Sequence, residues 1–350
     1  MLRFVDVSGY GQSGKSVISD LLREFDGYFV PHNLFEFDLI RVPGGLLDLY
    51  HALVEDWSVV RSDAAIRRFR KVAYRMGEYA RLGSPRSLMC AYGTNYQQVF
   101  RQQYFDLTDD FVSSLVSAEF QKEWPYPALE DGMLQIFRAR IARSIGLGKT
   151  PTRKFALAAP APDFADAAAR YIRALFHLIV PQEVRNVVLH NALEPFNPFR
   201  GMQLLGDARE IVVARDPRDI YASLFVKDGV FIPDFLLDDK LWQLKASMVA
   251  AHDLDLFIRQ QRILLGASRR ERDDESILRL NYEDIVMNYG ITLDKIRDFL
   301  GEKAAVHIRP KKFFDPESSA KNVGIWRRVK DQSSIGKIRA ELSEYCWELS

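Results

Sequence analysis

The feature that most constrains this chain is a glycine-rich turn between a short apolar run and a helical pattern. The turn reads Gly9-Tyr10-Gly11-Gln12-Ser13-Gly14-Lys15-Ser16 and fits G-x-x-x-x-G-K-[ST] in full. The apolar run over 2–7 predicts a buried parallel strand, and the spacing over 16–25 predicts a helix. Glycines let such a loop curl until its amide N–H groups point at an anion, which a lysine ammonium and a serine hydroxyl then complete. The motif predicts a phosphate site but no particular reaction.

The order of the elements predicts an α/β fold, a P-loop-type doubly wound parallel sheet flanked by helices with a large helical insertion. A second strand is expected over 27–31. Apolar, β-branched runs over 186–189 and 210–214 predict central strands, with a weaker strand over 276–280. Helices are expected over 165–178 and 290–300, the latter ending at Gly301.

The region of about 45–150 has a different character. Helical patterns over 46–57, 61–81, 111–120 and 134–145 fill it, and it offers no convincing strand. We therefore expect a helical insertion or cap within a single α/β domain spanning 1–350. After it, residues 155–158 form a candidate edge strand.

Composition narrows the classes of partner. The 350 residues carry 48 Lys+Arg against 47 Asp+Glu, a net charge of +1, which gives no support to a nucleic-acid or anionic-membrane partner. Two distant cysteines, Cys90 and Cys346, exclude a disulfide scaffold and a multi-cysteine metal site. Without a long apolar stretch or an apolar leader, we expect no integral membrane segment and a cytoplasmic location. The oligomeric state is not predicted.

A second signature of anion binding follows the strand over 210–214. The chain continues as Arg215-Asp216-Pro217-Arg218-Asp219-Ile220-Tyr221-Ala222-Ser223. Pro217 suits the first turn of a helix, and Asp216 is well placed to cap it. A guanidinium at the strand end and the Ser223 hydroxyl about two turns along can hold one phosphate from two sides. A surface ion pair of Arg215 beside an ordinary capped helix fits the same spacing.

Taken with the first loop, this segment resembles the 3′-phosphate-binding region of sulfotransferases that use 3′-phosphoadenosine 5′-phosphosulfate. The resemblance implies that Arg215 and Ser223 bind the 3′-phosphate. It also implies that the first loop binds the 5′-phosphosulfate end, and the residues assigned there are Gly11, Gln12, Ser13, Gly14, Lys15 and Ser16. The product nucleotide would be adenosine 3′,5′-bisphosphate.

Two later segments carry the same resemblance. L-R-L-N-Y-E-D-I at 278–285, with a helix ending in F-L-G at 299–301, is similar to the family's Y-E-D-L … F-L-G region. S-A-K-N-V-G-I-W-R at 319–327 resembles its late G-x-W-[KR] loop, which closes over the nucleotide. These segments imply nucleotide contacts for Tyr282, Lys321, Asn322 and Trp326. In all, the resemblance covers 1–35 and roughly 185–330.

The sequence also departs from the family. Gln12 stands where the family's first loop has a basic residue, and Lys15-Ser16 replace two hydroxyl residues. The late loop lacks an R-K-G triplet. Lys15 is therefore the expected stabilising cation of sulfuryl transfer.

Two residues are candidates for the base that activates the acceptor. By the resemblance, His190 matches the catalytic histidine of the cytosolic members, and Glu36 matches the catalytic glutamate of glycan sulfotransferases. Neither is preferred over the other. For Asp38, Arg41, Asn191 and Asn197, acceptor-side roles are weighed but structural roles are favoured.

The acceptor is expected to be a hydroxyl or amine on a small molecule or glycan, with a saccharide or glycolipid as the family-based suggestion. The helical insertion is expected to form part of its pocket. No metal is expected, because no histidine or cysteine spacing forms a ligand set.

Two other functions remain open. An ATP- and Mg²⁺-dependent kinase or NTPase suits the first loop, but such enzymes usually place an acid at the end of a core strand. Here the strand over 186–189 ends in His190-Asn191, and the strand over 210–214 ends in Arg215. A non-catalytic nucleotide-binding protein is the third possibility, since a fold does not prove an activity.

Two periodic patterns invite functional interpretations that we do not favour. Aromatic rings recur every four residues at Tyr92, Tyr96, Phe100 and Tyr104, which predicts a core-facing helix stripe more readily than a glycan platform. The basic run from Arg61 to Arg86 predicts a solvated helix face more readily than a grip on an acidic polymer.

Overall fold

A five-stranded parallel sheet forms the centre of the protein in the computed structural model. The structure describes residues 2–31, 35–78, 96–123, 137–138, 140–141, 144, 152–226, 254–269, 274–301 and 306–348. The strands are β1 (Arg3–Gly9), β2 (Tyr28–Phe29), β3 (Ala118–Glu123), β4 (Thr152–Leu157), β5 (Asn186–His190), β6 (Ala208–Ala214) and β7 (Ile277–Asn281). The central sheet has the order β2-β5-β1-β6-β7, and β3 and β4 form a separate antiparallel pair.

Helices flank the central sheet, so the predicted α/β fold class is confirmed. The longer helices are α1 (Ser16–Leu22), α2 (Leu46–Tyr50), α3 (Val59–Gly77), α4 (Tyr96–Phe100), α5 (Gln103–Leu115), α6 (Phe164–His177), α7 (Pro198–Met202), α8 (Pro217–Val226), α9 (Leu254–Arg269), α10 (Tyr282–Met287), α11 (Tyr289–Leu300), α12 (Pro316–Ser319) and α13 (Gln332–Glu341). α2 continues as one π-helical turn, and short 3₁₀ turns follow α12 and α13. None of the described helices is long and apolar enough to cross a membrane.

The region of about 45–150 departs from expectation at one place. The expected helix over 111–120 ends at Leu115, and the chain then forms the strand β3, so the expectation of no strand in this region was wrong. Its partner is β4, in which Phe120 pairs with Phe155, and the candidate edge strand over 155–158 therefore begins earlier, at Thr152. Phe120 and Phe155 have 34 residues between them, and local periodicity does not reveal a pairing over such a sequence separation.

Successive side chains of the central strands point to opposite faces of the sheet, so the core has one part on each face. On one face, Phe4 and Leu189 pack with the helical segment through Phe69, Tyr96 and Phe100. This confirms the core-facing aromatic stripe for its described members, whereas Tyr92 lies outside the described residues. The other face buries Val5, Val188, Ile211 and Val213 against α1, α10 and α11. The division into one domain with an insertion stays a prediction.

The parallel register brings the ends of the central strands to one edge of the sheet. Gly9 lies opposite Val213, Val7 opposite His190, and Ala214 opposite Asn281. The glycine-rich loop, His190, Arg215 and Tyr282 therefore begin at the same edge, where open α/β sheets bind their ligands. α11 ends at Gly301 in the left-handed conformation (φ 72°), as the sequence predicted.

Candidate functional site

The conformation of the loop between β1 and α1 depends on a backbone hydrogen bond, on two positive φ angles and on packing against the ring of Tyr282. The amide of Ser13 donates to the carbonyl of Tyr10 (2.8 Å), and Gln12 and Gly14 both have positive φ angles, 65° and 81°. A Cβ on Gly14 would lie 2.4 Å from the ring of Tyr282, which packs directly on the loop. Glycine is therefore required at 14 both by its conformation and by the close approach of this ring.

Several polar groups of this loop have no protein partner. In the described part of the chain, no acceptor lies within hydrogen-bond distance of the amide N–H groups of Gly14, Lys15 and Ser16. The hydroxyl of Ser13 is buried and also without a partner among the described residues. Buried polar groups are normally satisfied, so this loop presents donors suited to an anion.

Arg215 connects the loop to two other parts of the site. Its Nη1 donates to the carbonyl of Gln12 (3.1 Å) and lies 3.4 Å from the hydroxyl of Ser223, while Nη2 donates to the carbonyl of Asn322 (2.7 Å). Its guanidinium carbon stands 4.8 Å from the ring centre of Tyr282. It forms no ion pair with a carboxylate of the described chain, so the alternative of a surface ion pair does not hold, and the side chain is 7% exposed.

The helix that carries Ser223 is capped as expected. The carboxylate of Asp216 accepts from the amide of Arg218 (2.8 Å), and the Arg218 guanidinium and the amide of Trp347 occupy its remaining positions. This full set of donors leaves Asp216 with no capacity for a metal ion. Within the described residues, no group of three or more histidine, cysteine or acidic side chains is arranged to hold a metal.

The late loop is fastened to α8 by a carboxylate that the sequence analysis did not single out. Asp219 accepts from the amides of Gly324 (2.7 Å) and Trp326 (3.1 Å) and is 1% exposed. Asp219 thus ties α8 to a loop that lies more than 100 residues away in sequence. The same loop offers the Asn322 carbonyl to Arg215, so its position there depends on Asp219. The only available signal was the second aspartate of R-D-P-R-D.

The four residues expected to contact the nucleotide beyond Arg215 and Ser223 do not all lie together. Tyr282 and Asn322 lie beside Arg215. The ring of Trp326 instead stands beside two guanidinium groups, those of Arg218 (4.6 Å) and Arg327 (4.9 Å), and the side chain of Lys321 is exposed. The nucleotide contacts expected of Tyr282, Asn322, Trp326 and Lys321 all stay predictions.

Behind Arg215 lies a second carboxyl group that the sequence analysis did not single out. Glu283 is 1% exposed, and its Oε1 accepts from the amide of Asp216 (3.0 Å), whereas Oε2 has no partner. Burial raises the pKa of Glu283 to about 7, despite the opposing hydrogen bond from Asp216. Glu283 thus fixes the backbone at the point where β6 turns into α8.

His190 stands at the carboxyl end of β5 with one ring nitrogen occupied. Its Nδ1 lies 3.2 Å from the hydroxyl of Ser19 on α1, and the residue is 9% exposed. Burial, followed by the positive charges of Lys15 and Arg41, lowers the pKa of His190 to about 4. The imidazole is therefore neutral at neutral pH and able to accept a proton.

Glu36 occupies a different environment. Its Oε2 lies 3.2 Å from Nη2 of Arg41, and its Oε1 accepts from the amide nitrogen of Asn191 (3.4 Å). The hydroxyl of Tyr96 donates to its backbone carbonyl and fixes the segment. The structure thus brings Glu36 close to the residue that follows His190, but the carboxylate is paired with a guanidinium.

The turn after β5 is ordered from beneath by Asp6. Its two carboxylate oxygens accept from the amides of Ala192 (3.0 Å) and Leu193 (2.9 Å), and burial raises the pKa of Asp6 to about 6. The buried Glu210 lies beside it in register and accepts from the hydroxyl of Ser8. Sequence reasoning missed these groups because a single acid inside a strand has no local signature.

Three kinds of comparison with known proteins were made: with family models, with curated sequences and with solved structures. No protein-family model matches the sequence, and no curated protein sequence matches it. Among solved structures, the chain is similar to the sulfotransferase domain of an olefin synthase from Synechococcus PCC 7002, at 15% identity, covering 100% of this chain and 95% of that one, with a TM-score of 0.40. It is also similar to the sulfotransferase domain from the curacin biosynthetic pathway, at 13% identity, covering 100% and 98%, with a TM-score of 0.41.

A third similar structure is retinol dehydratase in complex with androsterone and the inactive cofactor PAP, at 16% identity, covering 99% and 81%, with a TM-score of 0.36.

Proposed function

We propose that the protein is a sulfotransferase that moves a sulfuryl group from 3′-phosphoadenosine 5′-phosphosulfate to a hydroxyl acceptor. The observation that supports this most is the position of Arg215. It lies between the glycine-rich loop, Ser223 and the late loop, and it makes no ion pair with the described chain. In the described chain this nearly buried guanidinium has no carboxylate partner, and it adjoins loop amides that have no acceptor there; this arrangement suits a ligand with two separate anionic groups.

The residues present fit such a donor. The buried hydroxyl of Ser13 lacks a partner, and the amides of Gly14 and Lys15 are free for one anionic end. Arg215 and Ser223 are placed for the other end, since their side chains lie 3.4 Å apart. A donor of this kind supplies an activated sulfuryl group whose leaving group is a phosphate.

Each of the site residues then has a defined role. Lys15 and the loop amides stabilise the negative charge that develops on the leaving phosphate. Arg215 and Ser223 fix the far end of the nucleoside, so that the reacting bond is held in place. Asp219 and Glu283 act through others: the first holds the late loop, and the second holds the backbone next to Arg215.

We assign the role of base to His190 rather than Glu36. A proton must leave the acceptor hydroxyl as its oxygen attacks sulfur, and the neutral imidazole of His190 has no partner in the described chain at Nε2. The carboxylate of Glu36 is already engaged by the guanidinium of Arg41. Negative charge arriving beside Lys15 would offset part of the effect that lowers the pKa of His190, bringing it nearer to the operating pH.

Ligand-induced thermal stabilisation tests the donor assignment. Adenosine 3′,5′-bisphosphate without Mg²⁺ is expected to raise the melting temperature, and ATP with Mg²⁺ is expected to have less effect. Transfer of radiolabelled sulfuryl groups to acceptors is expected to persist in EDTA. Stabilisation by ATP that requires Mg²⁺, with none by the bisphosphate, would instead establish the kinase or NTPase function.

A pair of matched variants locates the 3′-phosphate. Arg215→Ala removes the fork, and Arg215→Lys keeps the charge but not the two-pronged geometry. We expect the affinity for the bisphosphate to fall by roughly thirtyfold or more in the alanine variant, because a charge-assisted contact is worth about 2 kcal/mol. Arg209→Ala, at the opposite end of the same strand, is the control that leaves binding unchanged. Unaltered binding in Arg215→Ala, with the fold intact, would refute the assignment.

A further inference from the structure

Next to His190 lies a group of charged side chains that the transfer reaction does not use. We call it the Arg41 cluster: Glu36, Asp38, Arg41 and Glu194. The guanidinium of Arg41 is shared by all three carboxylates, at 2.7 Å from Asp38 and 3.2 Å from each of the two glutamates. The side chains are 19–44% exposed, so a ligand can reach them.

The cluster carries more negative than positive charge. Asp38 and Glu194 have Arg41 as their common cationic partner in the described chain, so these two carboxylates alone leave an excess of one negative charge. Although burial lowers it, the pKa of Arg41 is held above its usual value by the three carboxylates. A site with unbalanced negative charge favours a positively charged ligand group and disfavours an anionic one.

Asn191 provides a second observation that points to a ligand. Its Nδ2 donates to Glu36, so the side-chain amide lies beside the cluster, while its Oδ1 is buried and has no partner among the residues that the structure describes. The residue is 5% exposed and directly follows His190. A buried acceptor atom without a partner is costly, so a hydrogen-bond donor on the ligand would satisfy it.

The position of the cluster ties it to the reaction. Asn191, which donates to Glu36, directly follows His190 at the end of β5, so the cluster lies beside the proposed base. The acceptor must reach His190 to lose its proton. Groups on the acceptor beside the reacting hydroxyl therefore meet the Arg41 cluster.

We propose that the acceptor is an amino alcohol, a compound whose reacting hydroxyl lies near a protonated amine. The amine is held by Asp38 and Glu194 and donates an N–H towards the vacant acceptor of Asn191. Sulfuryl transfer occurs on oxygen, because a protonated amine has no lone pair with which to attack sulfur. This inference rests on the proposed function and names its class of substrate.

Three matched acceptors test it: methyl glucosaminide, methyl N-acetylglucosaminide and methyl glucuronide, assayed with the full chain and donor at a pH that keeps the amine protonated. We expect kcat/KM to be about tenfold higher for the amine than for the acetamide, and lowest for the carboxylate. The preference should shrink at high ionic strength, because partly exposed charges are screened. Equal or better use of the neutral or anionic acceptor would overturn the proposal. If none of the three is turned over, their binding to the bisphosphate complex is ranked by thermal shift, and the lack of an amine preference there also overturns it.

A pair of charge-neutralising variants locates the effect. Glu194→Gln keeps the size of the side chain but removes one negative charge, and it should reduce the amine preference about threefold or more. The control is Glu317→Gln, which neutralises an exposed carboxylate paired with Lys311 elsewhere in the fold and should leave the preference unchanged. An unchanged preference in Glu194→Gln contradicts the proposal.

Binding of adenosine 3′,5′-bisphosphate, measured on the same samples, separates the two proposals. If the bisphosphate binds and the neutral acceptor is preferred, the acceptor class alone is wrong. If the bisphosphate does not bind, the proposed function itself fails.

Discussion

Glu283→Gln should make the protein more stable, and by an amount that grows with pH. The carboxyl group is buried, and its pKa of about 7 lies above the ordinary value of 4.5. The folded state therefore holds a proton that the unfolded state releases, and folding becomes less favourable as the pH rises from 4.5 through 7. Each pKa unit corresponds to about 1.4 kcal/mol, so the ionised carboxyl costs about 3 kcal/mol at high pH.

Glutamine cannot ionise, and its Oε1 still accepts from the amide of Asp216. The gain in the free energy of unfolding should thus be about 1 kcal/mol near pH 5 and about 3 kcal/mol near pH 9. Urea denaturation of both proteins at the two pH values measures it, with Glu317→Gln as an exposed control that shows no such trend. A gain that is the same at both pH values, or a loss at both, would refute the reasoning.

Other expected outcomes follow from the same contacts. The folded pKa of His190 is about 4, so between about pH 7 and about pH 5 the unfolded state binds a proton that the folded state does not, and the free energy of unfolding falls by about 2 kcal/mol. His190→Gln should remove this part of the fall in stability. Denaturation of both proteins over this pH range checks it. Asp219→Asn should weaken bisphosphate binding roughly tenfold, measured by calorimetry, because a neutral side chain holds the two late-loop amides less well. Gly14→Ala should cost roughly 1–2 kcal/mol of stability in denaturation and abolish bisphosphate binding, since its Cβ meets Tyr282 and its φ is positive. Ser58→Ala removes the side chain that accepts from the amide at the start of α3, and denaturant melts should show a loss of about 1 kcal/mol with binding unaffected.

Much of the central fold was predictable because its signals are local. Short apolar and β-branched runs identified β1, β5 and β6, and the glycine pattern located the loop between β1 and α1. The left-handed Gly301 was predictable as the end of α11, because glycine alone adopts that conformation at little cost. Strand β3 was missed because its partner lies across a long stretch of chain.

The candidate site was predictable only in part. Sequence reasoning identified Arg215 and Ser223 as a possible pair, and it left an ion pair of Arg215 equally open. The structure placed that guanidinium on the carbonyls of Gln12 and Asn322, which are 203 and 107 residues away in sequence. Asp219 and Glu283 lie within the two quoted motifs, but only the contacts with distant amides show that they support the site.

By itself, the sequence determined which segments form strands and helices around the first loop, and hence which end of the sheet carries the polar residues. Those properties depend on the spacing of neighbouring residues, which the chain displays directly. Only the tertiary structure decided which carboxylates meet Arg41, which amides Asp219 holds, and how deeply His190 and Glu283 are buried. Contacts and desolvation of this kind depend on distant segments packing together, and the charge state of a buried group follows from that packing.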